Sequence, residues 1–440
     1  VLETIRNAWK VQETRKKLLY TLLIIIIYRI GSVFIPAPFL DNEVLAEWMK
    51  ANATGGNFLN FFNLLTGGNF SKATVFTLSI QPFIQASIIV QLLSYAIPPL
   101  ERLSKEGEEG RKKMDKISAF VSLGLAVFMG FAYYLTMKKA GAVKYTEGFD
   151  GILVAIVMVA VFVTGSCLVV WLGNRLNEKG IGNGISIILF AGILSGGPSS
   201  ILSMIKMAID SPNPYAFVVP GLLLVFIAMI AFIIFMNNAE RRIPIQYAKR
   251  VVGRKQYGGQ STHIPIKVSM SGVMPIIFAS AFMSLPLTIS FFFPVSKNPI
   301  TGWEIFYAKF IQLFSPSSWL YAILYFLLII GFNYFYVSMQ YNPVEIANNL
   351  RQSNGGIPGI RPGKPTSDYI QRILSKITLV GAIFLGLIAI FPIFFSWLLP
   401  EMQGIAMGGT SILIVVSVAL ETVRTLESQI MMRHHKGFLE

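Results

Sequence analysis

The feature that most constrains this chain is the recurrence of apolar runs about 20 residues long, each able to cross a hydrocarbon layer of about 30 Å as an α-helix. "GILVAIVMVAVFVTGSCLVVWL", Gly151 to Leu172, is one of them. Ten such runs fall at about 18–35, 74–97, 117–137, 151–172, 184–205, 215–238, 269–293, 317–339, 376–399 and 408–430. Composition agrees: 54% of the 440 residues are hydrophobic and 13% are charged, too few charges to cover a soluble domain of this size. A β-barrel would alternate polar and apolar residues in segments of about ten, and that pattern is absent. The expected fold class is an all-α polytopic membrane protein with ten transmembrane helices. The first run follows "TRKKLL" but has no small-residue cleavage site, and is expected to be retained. Cys167 stands alone inside an apolar run, where a small buried core residue is expected. It supports neither a disulfide framework nor a thiolate metal site.

The connecting segments alternate in basic content. The N-terminus, 98–116, 173–183, 239–268, 340–376 and the tail together hold 27 Lys and Arg, against 8 in the opposite set. Positively charged loops stay on the cytoplasmic side, so both termini are expected there. The net charge of +15 then belongs to one face. Anionic lipids are one expected partner of that face, and an acidic docking partner is another.

Two pairs of segments look alike. "SIQPFIQAS" (Ser79–Ser87) and "GVMPIIFAS" (Gly272–Ser280) share P-x-I-x-A-S, and "NGISIIL" (Asn183–Leu189) and "GGTSILI" (Gly408–Ile414) share G-x-S-I. The first pair belongs to spans two and seven, the second to spans five and ten. Both fit two halves of five spans each, 1–210 and 211–440. Five is odd, so the halves insert with opposite orientation. Inverted repeats of this kind place a pathway at their interface. Coupled transporters keep Asp, Glu or His inside the membrane, and no such residue lies near the middle of any span. The matched positions are apolar instead. An apolar constriction closes by excluding water, which suits a pore that seals around something bulky without binding it. A secondary transporter built on the same repeat remains an alternative, though the missing acids argue against it. A structural scaffold that recruits ribosomes is another.

Two loops on the basic face exceed what topology requires. In 239–268, "RRIPIQYA" and "STHIPIK" alternate apolar and polar residues around "GRKQYGG". This predicts a β-hairpin carrying Arg241, Arg242, Lys249, Arg250, Arg254 and Lys255. Such a hairpin also suits the backbone phosphates of a nucleic acid. In 340–375, an Asn-Pro start predicts a turn before a short helix, and "GGIPGIRPGKP" a stiff irregular tip bearing Arg361. The tip is no P-loop, because Pro358 stands where a Gly is needed and Pro365 follows Lys364. "GIGNG" (Gly180–Gly184) has no soluble strand before it and reads as a span entry. No nucleophile, base or metal constellation is present, so no catalytic residue, cofactor or metal is expected and the chain is not read as an enzyme.

"GEEGRKKMDK", "GIGNGISIILFAGI", "GRKQYGGQSTHIPIKV", "NPVEIANNL" and "GIPGIRPGKPT" together resemble the hallmarks of the SecY family, channel subunits of the bacterial Sec translocon. The resemblance runs from about Arg15 to the tail. It implies an hourglass channel of two five-span halves in the bacterial plasma membrane. Such a channel passes unfolded secretory chains and releases transmembrane segments sideways, between spans two/three and seven/eight. It implies as partners the small subunits SecE and SecG, the motor ATPase SecA, the ribosome and preproteins bearing signal sequences. The family's apolar pore ring falls on Ile80, Ile84, Ile185, Leu189, Ile277 and Ile414. Its plug falls on about 58–71, with Phe58, Phe61, Phe62, Leu64 and Leu65 as apolar contacts and Gly67-Gly68 as hinge. Its lateral gate falls on Pro82, Gln85, Ser87, Gln91, Pro275 and Ser280, where the prolines are expected to weaken their helices. Motor and ribosome docking falls on the basic residues of the hairpin and on Arg361.

Overall fold

The computed structural model describes residues 6, 9–51, 68–145, 147–210, 215–247, 250–252, 255–257, 261–290, 293, 301–315, 318–398 and 409–434. Among these, a long helix stands in each of the ten apolar runs. They are α1 (Gln12–Phe34), α4 (Gln81–Ala96), α6 (Glu108–Lys139), α7 (Gly148–Lys179), α8 (Gly184–Asp210), α9 (Tyr215–Asn238), α10 (Met274–Ser290), α12 (Trp319–Gln340), α14 (Lys364–Leu398) and α15 (Gly409–His434). Shorter helices are α2 (Asn42–Ala51), α3 (Asn69–Lys72), α5 (Pro98–Lys105), α11 (Gly302–Leu313) and α13 (Pro343–Gln352). By length and composition α1, α6, α7, α9, α12 and α14 each contain a stretch able to cross a membrane, while α8 and α10 contain shorter apolar helices.

Packing repeats along the chain. α4 packs on α6, α6 on α7, α7 on α8 and α1 on α8; likewise α10 packs on α12, α12 on α14, α14 on α15 and α9 on α15. The first and last five long helices therefore share a pattern of neighbours. They meet where α8 packs on α9 and α15, and where α4 packs on α10. Many large apolar side chains point outward, as on α7, where Ile152, Ile156 and Trp171 are exposed. In lipid this costs nothing. Cys167 is exposed too, so the expectation of a buried core cysteine is corrected. An apolar residue in a span is free to face the bilayer, and the seam between helices is taken by small residues instead.

Span two departs from a simple helix. Its expected start at 74 is a run of turns, and regular helix begins only at Gln81. Pro82 is in the first turn of α4 and Pro275 is the second residue of α10. There a backbone N–H has no helical partner, so neither proline removes a hydrogen bond. The expectation that they weaken their helices is corrected: they start them. The turn segment is buried, and side chains from neighbouring helices reach its polar groups at Ser79. Ser166 donates to the Ser79 carbonyl at 3.0 Å, and the Tyr28 and Ser79 hydroxyls share a 3.3 Å hydrogen bond. α7 reaches this backbone through Gly165, where an added Cβ would stand 2.0 Å from the Val75 carbonyl oxygen. Non-helical backbone at membrane depth persists only when protein encloses it in this way.

The expected hairpin is present. β1 (Glu240–Tyr247) pairs antiparallel with β4 (Ser261–Lys267), from Glu240 opposite Lys267 to Gln246 opposite Ser261. Inside it β2 (Arg250–Val252) pairs with β3 (Lys255–Tyr257). The second basic loop adds a strand, β5 (Gly355–Gly356), on the other edge of β1. The two projections thus form one unit with its own small core of Ile243, Ile245, Ile266, Leu350, Ile357 and Ile370.

Candidate functional site

Ile185 and Leu189 are four residues apart on α8, so they share one face. α4 brings Ile84 to the same place, and α10 brings Ile277. These four side chains line one cavity of about 80 Å³, together with the expected gate residues Ser87 and Gln91. Ile80 and Ile414 do not line it. They are buried in the same hydrophobic core, at 0% and 3% exposure. Above the cavity lies a polar basin of about 680 Å³. The two spaces share Asn183, Ser186, Met274 and Tyr336 as lining, so the basin narrows onto the apolar residues. Asn183 is set there by its role at the start of α8, where its side chain accepts from the Ile185 N–H at 3.1 Å.

The basin lies beside the base of the hairpin and carries charge. Lys267, Glu421 and Arg424 line it. Burial, then the nearby Arg424, pushes the Lys267 amine below its usual pKa, while Glu240 and Glu421 pull the other way. Arg424 donates to the Asn237 carbonyl at 2.8 Å and to Asn238 Oδ1 at 2.7 Å. It thereby satisfies the carbonyl end of α9, where a cation is favoured.

The seam between α4 and the α10–α12 pair is held by few polar contacts. Gln85, 2% exposed, donates to Ser284 Oγ at 3.4 Å. Ser284 donates in turn to the Ala281 carbonyl at 2.7 Å. Near the other end of α4, the rings of Tyr95 and Phe335 meet at 4.9 Å. Three other residues expected in the gate bond within their own helices: Gln91 donates to Ser87 Oγ at 3.2 Å and Ser280 to the Ile277 carbonyl at 2.8 Å. A neutral hydrogen bond of this kind contributes about 1 kcal/mol. Gln85→Ala removes it along with buried contact, while Ser284 keeps its bond to Ala281. The closed seam is expected to weaken, and passage of a preprotein with a crippled signal sequence to rise severalfold. Vesicle translocation assays check this, and an unchanged rate would remove Gln85 from the seam's energetics.

Of the expected plug, Phe58, Phe61, Phe62, Leu64, Leu65 and Gly67 lie outside the described residues. Its end is described. Gly68 has φ 85, a left-handed conformation that suits glycine. Immediately after it, Asn69 donates to Ser32 Oγ at 3.2 Å, and the Tyr133 hydroxyl donates to the Phe70 carbonyl at 2.5 Å. The segment is therefore fixed at this end between α1 and α6.

On the projections, Arg241 and Arg242 stand on β1, with Arg242 paired to Glu240 at 2.7 Å on the surface. Arg250 and Lys255 belong to the β2–β3 hairpin, and Lys249 and Arg254 lie outside the described residues. Arg361 is exposed between two left-handed glycines, Gly359 and Gly363. Its carbonyl accepts from Thr366 Oγ1 at 2.8 Å, which holds the loop without using the guanidinium.

The SecY family profile matches residues 74–423. Protein translocase subunit SecY of Halalkalibacterium halodurans is 41% identical over 451 aligned positions, and that of Streptomyces coelicolor is 39% identical over 451, each covering 100% of both chains. The chain belongs to the SecY family. SecY membership makes it a protein-conducting channel subunit of a translocase, multi-pass in the bacterial plasma membrane, and not an enzyme. Solved SecY-like channels share its fold. One protein-conducting channel matches with TM-score 0.65 at 18% identity, covering 94% of this chain and 92% of that one. Sec61 from a canine ribosome–channel complex matches with TM-score 0.61 at 17% identity, with the same coverage.

Sequence reasoning passed over Ser284, Tyr95 and Phe335. The signal that selected Gln85, a polar residue in apolar sequence, also marks Ser284. Tyr95 and Phe335 carry no such mark, because their pairing depends on how α4 and α12 lie against each other.

Proposed function

We propose that Ile80, Ile84, Ile185, Leu189, Ile277 and Ile414 form the resting constriction of this channel, with the 58–71 segment as its removable plug. The observation that carries the reading is the narrowing of a polar basin onto a small cavity lined by Ile84, Ile185, Leu189 and Ile277. A signal sequence enters from the basin and displaces the thin α4–α10 seam, which opens the channel towards lipid. The plug then swings about Gly67-Gly68. The hairpin–tip unit receives the driving partner, the SecA motor or the ribosome, on Arg241, Arg242, Lys249, Arg250, Arg254, Lys255 and Arg361. That unit is stiffened by strand pairing between the two loops, and a solved relative of the same fold comes from a ribosome–channel complex. SecE and SecG complete the assembly, anionic lipids face the basic side, and both termini are cytoplasmic.

The test is a secretory chain stalled in transit and crosslinked to the constriction. Adducts are expected at Ile84→Cys and Ile277→Cys alike. A stalled chain that reaches neither position would overturn the pathway through this ring.

A further inference from the structure

Between the gate helix α10 and α12 the chain builds a helix for which the pore has no use. α11, "GWEIFYAKFIQL", opens with a capping box made by Thr301 and Glu304. A connector in water would turn polar residues outward. Here Trp303, Phe306 and Phe310 are outward, at 71%, 59% and 41% exposure. They are three and four residues apart, so they form one stripe along the helix. Their rings run in series, 5.7 Å from Trp303 to Phe306 and 6.3 Å from Phe306 to Phe310. The series ends 5.1 Å further on the buried ring of Phe314. Lys309 and Gln312 are exposed on another side, while Tyr307 and Ile311 turn towards the protein. The helix thus has an inward face, an aromatic face and a third edge that Lys309 and Gln312 share with the exposed Ile305.

Chain length limits where this aromatic face can be. Five residues separate Leu313 from Trp319, six Cα–Cα steps with a reach of at most about 20 Å. α12 begins at Trp319, with Trp319 and Leu320 both exposed. At the other end α11 packs on α10, and the Tyr307 hydroxyl donates to the Phe293 carbonyl at 2.7 Å. A helix tied this closely to the ends of two spans lies at the level of the membrane surface. Trp and other aromatic side chains favour that level, and an amphipathic helix lies flat in it.

We propose that α11 lies in the headgroup–acyl boundary of the outer leaflet with Trp303, Phe306 and Phe310 in lipid, tethering the gate helix α10 to the bilayer surface. The occupant of the aromatic face is the phospholipid interface itself. Trp319 and Leu320, exposed at the start of α12, supply further apolar surface within that reach. The choice of leaflet rests on the topology proposed above; the lipid contact does not. Opening of the gate, which moves α10, then drags or tilts a helix embedded in headgroups, so gate movement responds to the packing of that leaflet.

The test uses the full channel complex in vesicles of phosphatidylethanolamine and phosphatidylglycerol. An environment-sensitive fluorophore is attached at Phe306→Cys in a Cys167→Ser background, and in a companion at Gln312→Cys. The Phe306 probe is expected to emit to the blue. Spin-labelled lipid carrying its label high on the acyl chain should quench it more than one labelled near the bilayer centre, and iodide should hardly quench it. The Gln312 probe is expected to remain open to iodide. Strong iodide quenching at Phe306 without lipid quenching would place the stripe in water. Quenching by neither would place it under protein, a partner or a second copy, and either result overturns the proposal. Trp303→Cys gives the same readout if the first variant does not assemble. An impermeant thiol reagent added outside intact cells should label Gln312→Cys. Failure of that labelling with lipid quenching intact overturns the leaflet and the proposed topology, and leaves the lipid contact standing.

Discussion

Replacing Ile84, Ile185 and Ile277 together with glycine is expected to turn the resting channel into an ion leak. Three of the four proposed ring residues that line the cavity would lose their side chains. An apolar constriction excludes ions because water leaves it, and ions do not pass dry apolar space. With the side chains gone, the polar basin would extend into the constriction and carry water with it. Planar bilayers containing the purified channel should show conductance well above that of the parent protein. Conductance equal to the parent's would count against the ring. The packing should also loosen, since a buried isoleucine truncated to a small residue costs about 2–5 kcal/mol; Ile84 is buried, while Ile185 and Ile277 are half-buried and should cost less. Leu189→Ile is the matched control and should leave both the seal and stability close to unchanged, because a swap of equal volume is tolerated.

Arg361→Glu is expected to stop translocation while the channel still assembles. The side chain is exposed on a loop shaped by Gly359 and Gly363 and held by the bond from Thr366 to its own backbone carbonyl. Among the described residues, nothing in that loop geometry uses the guanidinium. Reversal of the charge opposite an acidic partner costs several kcal/mol, and a loss of about 3 kcal/mol weakens docking about a hundredfold. Vesicle translocation should fall to near background, with unchanged recovery of the membrane complex. Arg361→Lys keeps the charge but loses the planar fork, and should retain part of the activity. Normal translocation by the Glu variant would remove Arg361 from the docking surface.

The apolar runs were readable because each is about as long as the membrane is thick, and that length is a property of local sequence. The hairpin was readable for a similar reason, since alternation of apolar and polar residues over "RRIPIQYA" and "STHIPIK" belongs to a strand with one buried face. Prolines misled. Pro82 and Pro275 lie within continuous apolar sequence, and only the backbone shows that regular helix starts beside them. Cys167 misled for a different reason: composition cannot tell which side of a span meets lipid when both sides are apolar.

The sequence alone thus determined a polytopic helical protein with basic loops and two built projections, because span length, charge distribution and strand alternation are written in neighbouring residues. Only the tertiary structure decided that Gln85 meets Ser284, that Tyr95 meets Phe335, that β5 joins β1, and that the aromatic stripe of α11 is left uncovered beside the gate helix. Each of these depends on how two segments far apart in the chain lie against each other, and in a bundle of uniformly apolar helices that choice is made by the packing of all of them together.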